Sequence, residues 1–247
     1  MSLRGVTKRY GAVAALNGVD LDVSHGDVIA ICGDNGAGKS TLIRIMSGAA
    51  EPTAGKMLLA GTEVRFRSPH DALGQGVATI YQDLALAPRL SIAANVFMGS
   101  ELTQPLLLRF LRVLDKAAMV REATRLLARL SVRIDNIAAP VERLSGGQRQ
   151  AVAIARVLRW DARLIIMDEP TAALGVRETA QVLDLIRRLH DEGRTIVLVS
   201  HNMRDVVAVA NRVAILKNGG KVIDRPIGCV SADELGHMVM TGMDLAA

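Results

Sequence analysis

Aromatic residues are almost missing from this chain. Its 247 residues include one Trp, two Tyr and three Phe, 2% of the total. The core must therefore be filled by Leu, Val, Ile, Ala and Met, and hydrophobic residues of all kinds make up 50%. The scarcity also argues against a surface that stacks nucleic-acid bases on aromatic rings, and no nucleic-acid partner is expected. Cysteine is equally scarce. Cys32 and Cys229 are the only two, too few for a disulfide framework. Cys32 falls in an apolar run beside a glycine-rich stretch and reads as a buried residue. No run of 18 apolar residues occurs, so nothing here is expected to span a bilayer. The densest apolar stretch, Pro105 to Leu114, is too short and carries Arg109 and Arg112. It reads as an amphipathic segment on a membrane or in a partner groove, or equally as a packed helix or loop of the same domain. Arg4, Lys8 and Arg9 interrupt the N-terminal residues, so no secretory signal is expected. The net charge of +5 is scattered, with no run of one sign. That suits a solubilising surface, and it is compatible with phosphate ligands or an anionic membrane.

A chain of this length makes one domain, or one core with a small subdomain. Residues 1–66 read as short strands. Val19, Leu21 and Val23 alternate with Asp20 and Asp22, as in a half-buried strand. Val28 to Cys32 is continuously apolar, as in a fully buried one. A helix from about Lys39 to Ser47 follows, closed by Gly48. Residues 84–159 read as largely helical. There Asp115 can cap a helix whose Met119, Ala123, Leu126, Leu127 and Leu130 form one apolar stripe. From 163 onward strands and helices alternate, and Asn218-Gly219-Gly220 marks a hairpin. Ser231 and Glu234 form a capping box for a last short helix. Alternation of this kind predicts an α/β fold with a mainly parallel sheet.

Five motifs carry the chemistry. Gly33-Asp34-Asn35-Gly36-Ala37-Gly38-Lys39-Ser40, between a strand and a helix, fits a phosphate-binding loop. Its glycines let backbone N–H groups turn toward phosphates, and the helix N-terminus adds partial positive charge. Lys39 is expected on the β- and γ-phosphates and the Ser40 hydroxyl on Mg²⁺. Leu164 to Asp168 is an apolar strand ending in a carboxylate, which presents Asp168 to the same crevice as a second metal-positioning group. Glu169 follows at once and could polarise an attacking water; a plain acidic pair in a surface turn is the bland alternative. Leu144-Ser145-Gly146-Gly147-Gln148 leads into helical residues from Arg149 to Leu158. A Ser-Gly-Gly opening to a helix is a second anion site, or simply a loop with an N-cap serine. One chain has no evident need of two such sites. Two chains facing head to tail do, because each can then close on the other's nucleotide. Gln82 and His201, each shortly after an apolar strand, complete the set.

In this order the motifs resemble the nucleotide-binding subunit of ABC transporters, from Leu3 to about Met243. The resemblance implies a phosphate-loop NTPase core, an N-terminal antiparallel β subdomain and a helical subdomain at about 84–159, within a single ATPase domain over residues 1–247. It implies ATP and Mg²⁺ as cofactors. Tyr10 would stack on adenine, and residues 33 to 41, Thr41 included, would hold the phosphates. Gln82 would sense Mg²⁺ and the attacking water, and its loop would contact membrane subunits. Residues 144–148 would complete the site of a partner cassette. Asp168 would ligate Mg²⁺, Glu169 would be the catalytic base and His201 would meet the γ-phosphate. His25, His70, His190 and His237 match no such position, and nothing resembles a zinc site. One departure stands out: Ala172-Ala173-Leu174-Gly175 has glycine where family members commonly carry Asp in an Ala-Leu-Asp run, which puts communication between paired sites in question.

The wording between the motifs, Arg67-Ser68-Pro69, residues 76–99 and Ala172 to Glu178, is similar to the ribose, xylose and fructose importers. That likeness implies a peripheral subunit on the cytoplasmic face of the membrane, most simply a homodimer. It would drive polytopic permease subunits and, indirectly, serve a solute-binding protein. Three other readings compete. A soluble cassette acting on nucleic acid or ribosomes would commonly bring two cassettes or a long insertion. A phosphate-loop kinase or GTPase would leave residues 144–148 and His201 without a task. An exporter, or an importer of another solute, would keep every motif.

Overall fold

The computed structural model describes residues 1–105 and 112–244. They divide into two compact units. One comprises residues 1–82, 162–172 and 186 onward; the other comprises 83–161 and 173–185.

The first unit opens with β1 (Ser2–Tyr10), β2 (Val13–Asp22), β3 (Val28–Cys32), α1 (Lys39–Met46), β4 (Ala54–Leu59), β5 (Thr62–Val64), α2 (Pro69–Gly74) and β6 (Val77–Ile80). Four of these strands form an antiparallel sheet in the order β2-β1-β4-β5. The period-2 pattern sets its register: Leu3 pairs with Leu21 and Val6 with Val19, and all four side chains are buried.

The second unit holds α3 (Ile92–Phe97), β7 (Thr103–Pro105), β8 (Arg112–Leu114), α4 (Lys116–Arg129) and α5 (Gly146–Leu158). Asp115 caps α4 by accepting the Ala118 N–H at 2.8 Å, and the five stripe residues from Met119 to Leu130 are buried. In α5 the run Ala151 to Ala155 is buried on every side, which a helix tolerates only when packed all round. The ends of the apolar stretch at 105–114 belong to β7 and β8, a short exposed antiparallel pair. Its centre, residues 106–111 with Arg109, lies outside the described residues.

The chain continues through β9 (Leu164–Asp168), α6 (Val176–Asp191), β10 (Thr195–Val199), α7 (Met203–Val209), β11 (Arg212–Lys217), β12 (Gly220–Pro226) and α8 (Ala232–Thr241). Residues 176–185 of α6 belong to the second unit and the remainder to the first. The main sheet of the first unit has the order β12-β11-β3-β10-β9-β6, parallel throughout except for the β11–β12 hairpin. All residues of β3 and β10 are buried, as expected of central strands covered on both faces. The fold is thus the expected α/β architecture, and among the described residues no helix is long and apolar enough to cross a membrane. The predicted capping box of α8, between Ser231 and Glu234, is formed.

Candidate functional site

Register places the strand-end residues. Ile31 of β3 pairs with Val199 of β10, and Val199 pairs with Asp168 of β9. Ile80 of β6 pairs with Met167. Because these strands are parallel, the loop at Gly33, the Asp168-Glu169 pair, His201 and Gln82 all emerge at the same edge of one sheet. That edge is where α/β folds hold ligands.

The glycine-rich loop needs its glycines for two reasons. Gly33 has φ of 152° and Gly38 of 106°, which side-chain-bearing residues rarely adopt. A Cβ on Gly33 would also lie 2.4 Å from the Leu216 carbonyl oxygen, and one on Gly38 would lie 2.7 Å from that of Ala15. Asp34, Asn35 and Gly36 form the exposed tip, Ala37 is buried, and Gly38 precedes the first residue of α1. Lys39 is 9% exposed, and its ammonium donates to the carbonyls of Gly33 (2.6 Å) and Asp34 (2.9 Å). The cation thus spans the loop. Ser40 is exposed and Thr41 half-buried on the first turn of α1. Burial pushes the Cys32 thiol up to about 12, so this neighbour of the loop is inert.

Asp168 is half-buried, and its pKa is raised, first by burial and then by the charge of Glu169, with Lys39 opposing. Glu169 adopts φ of 49°, its N–H donates to the Val199 carbonyl at 2.9 Å, and its own carbonyl accepts from Ala172. A glutamate in the left-handed region is strained, and such strain persists only where neighbours fix it. Glu169 Oε1 lies 3.2 Å from Nδ1 of the exposed His201. Sequence reasoning missed a brace beneath this pair. The Thr171 hydroxyl donates to the buried carboxylate of Asp205 at 2.7 Å, tying the loop after Glu169 to the helix after His201. Neither residue carries a local signal, because the bond joins positions 34 apart.

Gln82 is exposed two residues beyond β6. The Tyr81 hydroxyl donates to Ser47 Oγ at 3.1 Å and anchors the strand end to the close of α1. Tyr10 pairs with Val13 at the β1–β2 turn and is 46% exposed, with the Lys8 ammonium 5.2 Å from its ring centre. From that turn β2 runs on to Ala15, whose carbonyl abuts Gly38.

Ser145, Gly146, Gly147 and Gln148 belong to the second unit. The helix begins earlier than expected, at Gly146 rather than Arg149. Ser145 Oγ accepts the Gln148 N–H at 3.3 Å, and the Ser145 N–H donates to Gln148 Oε1 at 3.1 Å. This reciprocal capping box pulls the two glycines into the first turn. Farther along α5, Arg156 donates to the carbonyls of Leu84 and Ala85, and buried Asn95 of α3 holds the carbonyls of Ala87, Leu90 and Ser91. The segment after Gln82 is thus shaped by side chains that no motif marked.

A family profile described as ABC transporter matches residues 16–172. The chain belongs to the ABC transporter family. This cassette is 47% identical over 224 residues to the fructose import ATP-binding protein FrcA of Rhizobium meliloti, covering 90% of this chain and 86% of that protein. It is 43% identical over 245 residues to the xylose/arabinose import ATP-binding protein XylG of Sulfolobus acidocaldarius, covering 99% and 95%. Its fold matches the dimeric post-hydrolysis structure of the ATP-binding cassette MJ0796 bound to ADP and Pi. That match has a TM-score of 0.75 and 26% identity, and covers 92% of this chain and 98% of that one. The cassette is an ATP-binding protein and an ATPase.

Proposed function

We propose that this ATPase powers import of a monosaccharide through separate membrane subunits. The ATPase half rests on the shared sheet edge of Gly33–Thr41, Asp168, Glu169 and His201. The import half rests on the likeness to the fructose and xylose/arabinose import proteins.

Nucleotide entering the loop replaces the Gly33 and Asp34 carbonyls as partner of the Lys39 ammonium, so the lysine trades two neutral acceptors for phosphate oxygens. The N–H groups of residues 34 to 41 and the start of α1 surround the phosphates, and Tyr10 supplies a flat face for adenine. Glu169 accepts the proton of the water that attacks the γ-phosphorus, and His201, with Nδ1 held by Glu169, turns Nε2 to the γ-phosphate. Among the described residues no three His, Cys, Asp or Glu side chains gather as a metal cage. Ser40, Asp168 and Gln82 offer only oxygen donors, and the pKa of Asp168 is raised first by burial and then by the charge of Glu169. That set fits Mg²⁺, which takes one or two protein oxygens together with phosphate oxygens. When bound, the ion would neutralise charge building on the β- and γ-phosphate oxygens.

In this reading two copies face each other. Ser145, Gly146, Gly147 and Gln148 of each complete the other's site, and closure reaches a polytopic permease through the segment after Gln82. A solute-binding protein delivers the sugar, and the cassette works at the cytoplasmic face of the membrane without touching the sugar itself. ATP drives the cycle only by binding the closed pair more tightly than the open one.

The experiment is uptake of labelled fructose, xylose, arabinose and ribose in cells lacking the chain, complemented with wild type or with Glu169→Gln. Loss of at least one uptake activity, restored by wild type alone, supports the proposal. Unchanged uptake of all four rejects it in favour of export or another solute.

A further inference from the structure

The start of α5 already holds an anion. Glu178, in the first turn of α6, accepts the Gly146 N–H on Oε1 at 2.8 Å and the Gly175 N–H on Oε2 at 3.3 Å. One carboxylate therefore bridges the beginnings of two helices, all within the second unit. An ordinary capping glutamate would serve only its own helix, here through Gly175; the bond to Gly146 reaches a helix 32 residues away.

Hydrogen bonds hold Glu178 below the usual carboxylate range. The Gly175 N–H has the largest effect, followed among the bonds by the Gly146 N–H, the Ser145 hydroxyl and the Gly147 N–H. Its charge is therefore permanent near neutral pH. The remaining donors are also engaged, because Gln148 N–H goes to Ser145 Oγ and Ser145 N–H to Gln148 Oε1. The contact leaves no room for a side chain on either glycine. A Cβ on Gly146 would fall 2.4 Å from Leu174 Cδ2, and one on Gly147 would fall 2.9 Å from Gln181 Oε1. The departure at Gly175 fits the same picture. A Cβ there would lie 4.0 Å from Glu178 Oε2, so an aspartate would set a second negative charge against Glu178 and weaken its hold.

We propose that Glu178 is an intrachain occupant of the anion site at the start of α5, which phosphate on a facing cassette must displace before the pair can close. The inference rests on the shared-site reading above and adds a threshold to it. A phosphate needs the same N–H groups, and the carboxylate repels it until Glu178 turns away.

The test uses the full chain carrying Glu169→Gln, so that ATP is bound and hardly consumed. Light scattering follows pairing against ATP concentration, with and without Glu178→Gln. Removing the charge should lower the ATP concentration for half-pairing by about three- to tenfold, the scale of a charge at a helix terminus acting in two sites. Nucleotide affinity of the unpaired chain should not change. Glu178→Asp keeps the charge and withdraws the carboxylate from Gly146 by one methylene. It should give a smaller decrease, and it serves if Glu178→Gln folds poorly. An unshifted or raised threshold in a variant that melts normally overturns the inference. Failure of Glu169→Gln itself to pair with ATP would sink the shared-site reading and this inference together.

Discussion

Glu169 Oε1 and His201 Nδ1 stand 3.2 Å apart at the ends of adjacent parallel strands, and the Thr171–Asp205 hydrogen bond braces the loops that carry them. The contact has a chemical consequence. A carboxylate only accepts, so any proton in this contact is donated by His201 Nδ1, which leaves Nε2 as the ring nitrogen not directed at Glu169. The contact holds the carboxylate and the imidazole side by side at the same sheet edge.

Glu169→Gln keeps the shape of this pair and removes the base. Turnover of ATP should fall by about 10²–10⁴-fold, the usual contribution of general base catalysis, while equilibrium binding of ATP is retained. Near-normal turnover in a steady-state phosphate-release assay would remove Glu169 from that role.

Lys39→Ala removes the ammonium that spans the loop. Nucleotide affinity should drop at least about tenfold, the value of one charge-assisted hydrogen bond lost. Calorimetric titration with a non-hydrolysable ATP analogue reads this directly, and unchanged affinity would exclude the loop as the phosphate site.

Ser145→Arg fills the start of α5 with a long cation and breaks the capping box with Gln148. ATP should still bind to the same chain's loop, whereas ATP-dependent pairing and hydrolysis are lost. Hydrolysis at the wild-type rate would mean that residues 145–148 complete no site.

Asp168 gives a pH-dependent signature. Its raised pKa means that the fold disfavours the ionised form, first through burial and then through Glu169. Below the ordinary aspartate range both the folded and unfolded forms are protonated and no cost arises; as pH rises through the folded pKa the full cost appears. Asp168→Asn should therefore melt higher than wild type at neutral pH, by about 2–4 °C for each kcal/mol released. The gap should close as the pH falls below about 4. Hydrolysis should be lost at every pH. A gap that widens in acid would contradict the stated cause.

Thr171→Val strips the buried Asp205 of its hydrogen bond at nearly constant volume. The expected cost is about 1–3 kcal/mol for a buried acceptor left unsatisfied, visible as a lower melting temperature. Hydrolysis should slow more than ATP binding weakens, because Glu169 loses its brace. Equal losses in both would make the bond purely structural.

The sequence by itself determined whatever is written in short spacing. The apolar runs at Val28–Cys32 and Ile196 to Val199 read as central strands of a parallel sheet, and both are. The stripe from Met119 to Leu130 behind Asp115 reads as one face of a capped helix, and Gly33 to Ser40 matches the pattern of a phosphate loop between a strand and a helix. Tertiary structure decided what depends on residues distant in the chain. Strand order brings Asp168 beside Val199, and so Glu169 within reach of His201, because β10 inserts between β3 and β9. The capping box of Ser145 with Gln148 moved the helix start to Gly146. Thr171 met Asp205, Arg156 met Leu84 and Ala85, and Glu178 settled on Gly146. Each is a polar side chain whose partner is fixed by packing of whole elements rather than by local propensity. A periodic pattern reports only which face is buried, not which polar groups will meet there.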